Sequence, residues 1–439
     1  MKIYNTLTRK KEELKPLKDH QLGMYVCGPT VYDYDHLGHA RVGIFYDTLR
    51  RYLIEQGFSV KYVQNITDVG HLTEETGEDK IEKKAKEEET DPKKIAKKFT
   101  KAHFEDMASL SVQKPDYSPR ASEYISQIID FIKVLIKKGY AYEAKGNVYF
   151  EIEKFKDYGK LSGRDFRLQG VSRVEPGAGK KKPADFALWI AAPPEHILKY
   201  DSPWGKGYPG WHIECSVMNH EFFGAVTDIH GGANELIFPH HENEIAQSQA
   251  YSGKKPVRYF VHIGMVTIDG EKMSKSKGNF IRIRDLLKKY DSDTIRIFIL
   301  KSPYRSPIDY SNQNLIEARK IKKKLLRARQ KAKSGKAKLK EEINQILDDD
   351  FNTAKALNFF LDNLPRATSE DFEYLKEIFG FCLKSKKIKL TEGQQKLIED
   401  REEARKKEDW RRADELRKTL EKQGIEIEDT RKGPKVKYE

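Results

Sequence analysis

Between residues 22 and 69 the chain passes from a short apolar run to helical periodicity and back. LGMYVCGP (22–29) is strand-like and stops at Gly28 and Pro29. HLGHARVGIFYDTLRRYLIEQG (36–57) repeats apolar residues at helical spacing and closes at Gly57, and FSVKYVQNITD (58–68) resumes as a strand. Strand, helix and strand in that order predict a βαβ unit and hence a parallel sheet. Residues 74–110 are densely charged and helical in pattern. After Pro119, ASEYISQIIDFIKVLIKKGYAY predicts an amphipathic helix and NVYFEIEKF a strand, and 162–184, rich in Gly, Lys and Arg, reads as a loop inside an insertion. The sheet is predicted to resume over 207–262, where VTDIHGG and RYFVHIGMV flank a helix over PHHENEIAQSQAYSG. From 314 a basic helical stretch runs to 347, DDDFNTAKALNFFLDNL follows as another helix, and a last unit begins near Leu390.

A chain of 439 residues exceeds one core and suggests about three domains of ~150 residues. Hydrophobic content of 38% with 11% aromatic residues supports a globular fold. The mean hydropathy of -0.75 and the lack of any apolar run near the ~20 residues of a spanning helix exclude a membrane protein. The opening MKIYNTLTRKKEEL lacks the apolar centre of a signal peptide, so a cytoplasmic location is expected. Three cysteines build no disulfide framework and suit a reducing compartment. Lys and Arg number 82 against 68 Asp and Glu, a net charge of +14. That excess suggests a polyanionic partner if it is clustered, or a solvated lysine-rich surface if it is not.

Candidate chemistry sits in three places. Cys27 and Cys215 are far apart, but PHHENE (239–244) adds His240 and Glu244 at i, i+4, one face of a helix. Thiolate, imidazole and carboxylate are the donors Zn²⁺ prefers. Read singly, a free cysteine is more often a small packed hydrophobe, the reading that suits Cys382 in IFGFCLK, and the spacing is not that of a zinc finger. HLGH places His36, Gly38 and His39 at a helix start directly after a strand, where amides and imidazoles can meet a phosphate; two caps or surface histidines is the plainer alternative. KMSKSKGN (272–279) carries Lys272, Lys275 and Lys277 on a loop that can close over a triphosphate, or simply a solvated lysine run.

Taken together, HLGH and KMSKS more than 200 residues apart resemble the two signatures of class I aminoacyl-tRNA synthetases. Within that class the chain is similar over nearly its whole length to the cysteinyl-tRNA synthetase family, through MYVCGPTVYDYDHLGHAR, YVQNITDVG, SPWGKGYPGWHIECSVMN, FPHHENEIAQS, EKMSKSKGNF and DDDFNTAKAL. The resemblance implies an α/β fold: a Rossmann-type parallel-sheet catalytic domain (1–118 and 205–262) with an inserted connective domain (119–204). A KMSKS-containing stem-contact region (263–316), a tRNA-binding helical bundle (317–388) and a small anticodon-binding domain (389–439) follow.

The resemblance also implies an activity and its residues. Cysteine and ATP, with Mg²⁺, would give cysteinyl adenylate and pyrophosphate, and the cysteinyl group would pass to the 3′ end of tRNA(Cys). His36, Gly38, His39, Lys272 and Lys275 would serve ATP. Cys27, Cys215, His240 and Glu244 would hold one zinc that takes the substrate thiolate, a discrimination against serine that pocket shape alone supplies poorly. Four protein donors describe a closed, structural site, so that role calls for a fifth ligand or a weakly held Glu244. Thr67, Trp211 and Glu235 would contact cysteine, although DIHGGANEL departs from the family at Ala233, Asn234 and Glu235. Arg405, Trp410, Asp414 and Asp429 would read the anticodon, with Trp410 as a small-domain core residue the alternative. No membrane partner is expected, and a monomer is. Two other readings share the motifs: a ligase joining cysteine to a glucosaminyl-inositol, and a non-catalytic tRNA-binding paralogue.

Overall fold

The computed structural model describes residues 1–72, 78–164, 179–273, 278–384, 390–422, 425–430 and 433–437. Its centre is a four-stranded sheet in the order Val257–Ile263, Thr227–Ala233, Gln21–Val26, Ser59–Gln64, with every pair parallel. Met24, Tyr25, Val26, Ile229 and Val261 are all buried, the continuous apolar pattern of strands covered on both faces. In chain order the sheet reads fourth, third, first, second. Connections therefore leave the Gln21–Val26 strand to one side and return on the other, which opens a crevice at the carboxyl ends of the two central strands. Cys27 follows directly on one of them, its N–H donating to the Gly231 carbonyl at 3.0 Å.

The predicted helix forms over Leu37–Glu55, with His36 as its cap and Gly57 leaving it at φ +87°. Two short strands precede this unit and escape the sequence pattern. Lys2–Asn5 and Lys10–Glu13 pair antiparallel, and their lysines and glutamates hide the inward Ile3 and Asn5. The Asn5 amide ties this hairpin to the sheet edge: Nδ2 donates to the Arg258 carbonyl at 2.8 Å and Oδ1 accepts from Phe260 N–H at 3.1 Å. The charged stretch after residue 74 yields helices Lys80–Glu87 and Pro92–Ser109, capped by Asp79 and Asp91.

The insertion carries helix Ile125–Lys137 and an antiparallel sheet of Ala141–Ala144, Asn147–Phe150, Phe186–Ala191 and Gly207–Pro209. Gly207–Pro209 thus belongs to this sheet, and the parallel sheet resumes at Thr227 rather than at 207. Between them lies a helix that periodicity did not reveal, Trp211–Phe223, because residues 212–219 are all buried and leave no amphipathic stripe. Ile213, Val217, Ile245, Ala246 and Phe260 share one core with Phe150, Leu188 and Trp189 of the insertion, so the helices below the crevice are backed by the inserted sheet. Of the loop expected at 162–184, residues 165–178 lie outside the described residues.

The basic stretch from 314 forms two helices, Asn312–Lys331 and Lys340–Leu347, with Ser334 and Gly335 in the break between them. Thr353–Asp362 and Ser369–Phe379 complete the bundle. Leu49, Tyr52 and Leu53 of the Leu37 helix share a core with Leu347, Phe351 and Phe379, which ties the bundle to the catalytic body. Cys382, expected to be packed, is exposed; Phe381 and Leu383 on either side take the buried positions, so the residue between them faces out. The last unit pairs helices Glu392–Lys406 and Trp410–Lys422 with a hairpin of Glu426–Thr430 and Gly433–Lys437, around Ile398, Leu420, Ile425 and Ile427. Among the described residues no helix is long and apolar enough to cross a membrane.

Candidate active site

The four expected metal donors converge at the crevice. Cys27 comes from the end of a central strand, Cys215 from the Trp211–Phe223 helix, and His240 and Glu244 from the turn and helix at 237–252. All four are buried, with donor atoms within 4.8 Å of one another. The two sulfurs are 3.8 Å apart and His240 Nε2 is 3.0 Å from Glu244 Oε1. Regular helix begins only at Glu242, after a kink at Phe238, yet His241 and Glu242 already have helical backbone angles and keep the two donors on one side.

Sequence reasoning missed the histidines around this set. His230, on the Thr227–Ala233 strand, places Nε2 3.1 Å from Glu244 Oε2. His241 Nε2 lies 3.2 Å from the Cys27 sulfur, so Cys27, His230, His241 and Glu244 form a second group able to hold a cation, sharing two members with the first. Two thiols make the first group the softer donor set, the one that suits zinc. Behind both groups, His212 Nδ1 meets His240 Nδ1 at 2.9 Å, and His241 Nδ1 meets His262 Nε2 at 2.7 Å, whose Nδ1 meets Thr6 Oγ1 at 2.8 Å. Such contacts fix ring orientation and leave the opposite nitrogen for a metal. The doubled histidine in PHHENE and the buried position of DIHGG were the available signals.

The charges also call for a cation. Burial works against a Cys215 thiolate, but the hydrogen bond from Cys27 and the neighbouring His240 hold its pKa down to about 6. Burial likewise opposes a charged Glu244, and His230 and His240 outweigh it, keeping the carboxyl well below its usual range. Burial and the Cys215 hydrogen bond push Cys27 up. Against burial, Glu244 and Cys215 raise His240 to about 10, so its proton balances the anionic donors. A metal ion would replace that proton, and two sulfurs, an imidazole and a carboxylate are a fitting zinc set.

A cavity of about 280 Å³ joins this cluster to the HLGH turn, its wall including Cys27, His36, Gly38, His39, Trp211, Glu235 and Met273. His36 Nδ1 accepts from the N–H groups of Gly38 and His39, at 3.0 and 3.3 Å, and its ring stacks on His39 at 3.8 Å. A Cβ on Gly38 would meet the His36 ring at 2.7 Å, so the turn needs glycine there. Asp35 underpins the pair, with Oδ1 2.9 Å from His39 Nδ1 and Oδ2 2.5 Å from His103 Nδ1. Arg41 of the same helix donates to the carbonyls of Met265 and Ser306 at 2.6 and 2.5 Å, anchoring the chain that enters the 266–272 hairpin. Lys272 ends that hairpin, paired with Thr267; Lys275 lies outside the described residues.

The remaining candidates divide. Trp211 and Glu235 line the cavity, with Ala233 beside them. Thr67 is buried, accepts from Asn65 Nδ2 at 3.2 Å and donates to Glu214 Oε2 at 2.9 Å. In the last unit Trp410 is 58% exposed, which removes it from the small core, and Asp414 is exposed as well. Asp429 is gripped by Arg401, whose two terminal nitrogens lie 2.9 and 3.0 Å from its oxygens, and by Arg405. Arg401 was not singled out from the sequence, where it is one basic residue among many.

A parallel sheet with its crevice at the strand crossing, a histidine-capped helix after its first strand and a hairpin leading into KMSKS define a class I aminoacyl-tRNA synthetase. At the level of fold, methionyl-tRNA synthetase from Mycobacterium tuberculosis bound by methionyl-adenylate is similar, with a TM-score of 0.57 and 13% identity over 82% of this chain and 84% of that one. Residues 13–320 match the model of the class I (C) tRNA synthetase catalytic domain, and 389–435 that of the cysteinyl-tRNA ligase anticodon binding domain. The cysteine–tRNA ligase of Pyrococcus abyssi is 46% identical over 98% of this chain and 97% of its own length, and that of Thermodesulfovibrio yellowstonii 43% identical over 98% of each. The chain belongs to the cysteinyl-tRNA synthetase family.

Proposed function

We propose that this protein activates L-cysteine with ATP and transfers it to the 3′ end of tRNA(Cys), as a cytoplasmic monomer. The observation that carries the reading is that Cys27, one of the four clustered donors Cys27, Cys215, His240 and Glu244, lines the same cavity as His36 and His39. A zinc ion held by those four residues would supply a soft ligand position that a thiolate fills and a hydroxyl fills poorly. Thr67, Trp211 and Glu235 are the residues we assign to the rest of the amino acid, Thr67 by way of the Glu214 carboxyl it holds.

On the nucleotide side, His36 and His39 orient the phosphates at the helix start, where the amides favour negative charge. Asp35 keeps His39 turned toward the cavity. Lys272 and Lys275 neutralise the departing pyrophosphate, which Mg²⁺ accompanies; the work is electrostatic and positional. Arg405, Trp410, Asp414 and Asp429 serve the anticodon, and the basic helices of 317–388 the tRNA backbone. The match over 389–435 favours tRNA over a glucosaminyl-inositol acceptor.

The deciding experiment is ATP–pyrophosphate exchange with cysteine and serine in parallel, before and after zinc chelation. Exchange with cysteine alone, lost on chelation and restored by zinc, is expected. Equal exchange with serine, or indifference to the chelator, would refute the reading.

A further inference from the structure

His71 is absorbed by none of the roles above, yet it forms part of the cavity wall. Its ring stacks on the Trp211 indole with centroids 4.2 Å apart and planes 15° from parallel. The indole also meets the His240 imidazole at 4.6 Å and the His212 imidazole at 5.0 Å. Trp211 is the first residue of its helix, and its cap is Gly210, which makes no side-chain cap bond. The neighbouring rings, His71 the closest and the most nearly parallel, therefore do much to set the angle of the indole. We propose that His71 is a positioning residue, a strut that holds Trp211 against the amino-acid end of the cavity and so sets the affinity for cysteine, while the metal cluster sets its identity.

The hydrogen bonds of His71 suit a strut. Nδ1 pairs with Thr30 Oγ1, and Nε2 lies 2.8 Å from Lys80 Nζ. An ammonium only donates, so Nε2 accepts and Nδ1 carries the proton, which fixes a neutral ring in one tautomer. With both nitrogens engaged, the ring offers its neighbours a flat face. Its anchors are rigid in turn. Lys80 opens the Lys80–Glu87 helix, whose cap Asp79 also accepts from the Gly70 N–H at 2.9 Å. Glu82 of the same helix accepts from the N–H groups of Ile197 and Leu198, at 2.8 and 2.7 Å, and so braces it against the insertion.

The inference rests on reading the cavity as an amino-acid pocket. Its test is ATP–pyrophosphate exchange by the full-length, zinc-loaded protein, comparing wild type with His71→Ala, His71→Phe and Lys80→Met. Loss of one stacked ring predicts that His71→Ala raises the KM for cysteine about three- to tenfold. The KM for ATP and the preference for cysteine over serine stay as they are. His71→Phe, which keeps a flat face, recovers most of the affinity, and Lys80→Met falls between. Tryptophan emission, read as the difference from Trp211→Phe, shifts to the red in His71→Ala. An unchanged KM for cysteine in His71→Ala, or a KM for ATP that rises in step with it, would overturn the strut; should that variant not fold, unchanged KM in Lys80→Met together with an impaired His71→Phe would do so. No cysteine-dependent exchange by the wild type would instead overturn the underlying reading of the cavity, and the strut with it.

Discussion

His230 and Glu244 meet across the boundary between sheet and helix, with Nε2 3.1 Å from Oε2. The other oxygen of the same carboxylate faces His240 at 3.0 Å and the Cys27 sulfur at 3.5 Å. One oxygen is thus held by the sheet while the other points into the donor set. Such support behind a ligand is worth about 10–100-fold in metal affinity. His230→Ala should weaken zinc binding by that factor without abolishing it, whereas Cys215→Ser should lose the metal outright. Competition against a chromophoric chelator measures both, and wild-type affinity in His230→Ala would assign the orientation of Glu244 to other contacts.

Asp35 gives the HLGH turn a pH dependence. Burial opposes its charge, but His103 and His39 outweigh burial and hold the carboxyl far below its usual range. A folded-state pKa depressed in this way stabilises the protein above the unfolded value of ~3.9 and loses that contribution as pH falls further. Asp35→Asn should therefore melt well below wild type at neutral pH, and the gap should narrow as the pH is taken from 5 to 3. A gap that stays constant with pH would mean that packing, not charge, supports the pair.

A buried ion pair lies where the Leu37–Glu55 helix, the 263–316 region and the helical bundle meet. Arg296 Nη2 lies 2.7 Å from Asp47 Oδ2, and both side chains are almost fully enclosed. The same guanidinium donates to the carbonyls of Phe379 and Leu110 at 2.7 and 3.0 Å. Breaking such a pair from one side leaves an uncompensated charge and costs about 3–5 kcal/mol. Asp47→Ala should lower the melting temperature accordingly, while leaving zinc content at wild-type level. Metal loss in the folded variant would show that the bundle contact reaches the active site.

The parts of this molecule that were legible in the sequence are those where periodicity or a long motif survives burial. The Leu37–Glu55 helix keeps a half-buried face opposite its buried one and has a glycine stop, and its capping histidines belong to a recognisable turn. The Trp211–Phe223 helix was not legible because residues 212–219 are all buried, although it carries Cys215. His230, His241 and His262 were missed for a related reason. Each is buried on a strand or turn, and only the fold brings His230 and His241 to the Glu244 carboxylate, with His262 behind His241. Arg401 illustrates the same limit at the other end of the chain, where a buried arginine paired with Asp429 reads like its exposed neighbours.

Trp410 offers a way to separate RNA recognition from chemistry. Its indole is 58% exposed at the start of the last long helix, and the core of that unit is made by Ile398, Leu420, Ile425 and Ile427 without it. An exposed aromatic away from the core contributes little to stability, typically within 0.5 kcal/mol. Stacking of an unpaired base on such a ring is worth about 1–3 kcal/mol, or roughly 5- to 150-fold in affinity. Trp410→Ala should therefore melt like wild type and exchange pyrophosphate at the wild-type rate with cysteine. Its KM for tRNA in aminoacylation should rise within that range. Arg401→Ala should differ, because it removes the bidentate partner of Asp429 and disturbs the hairpin that carries it, so that thermal stability and tRNA affinity fall together. A wild-type KM for tRNA in Trp410→Ala would take this face of the last unit out of RNA recognition.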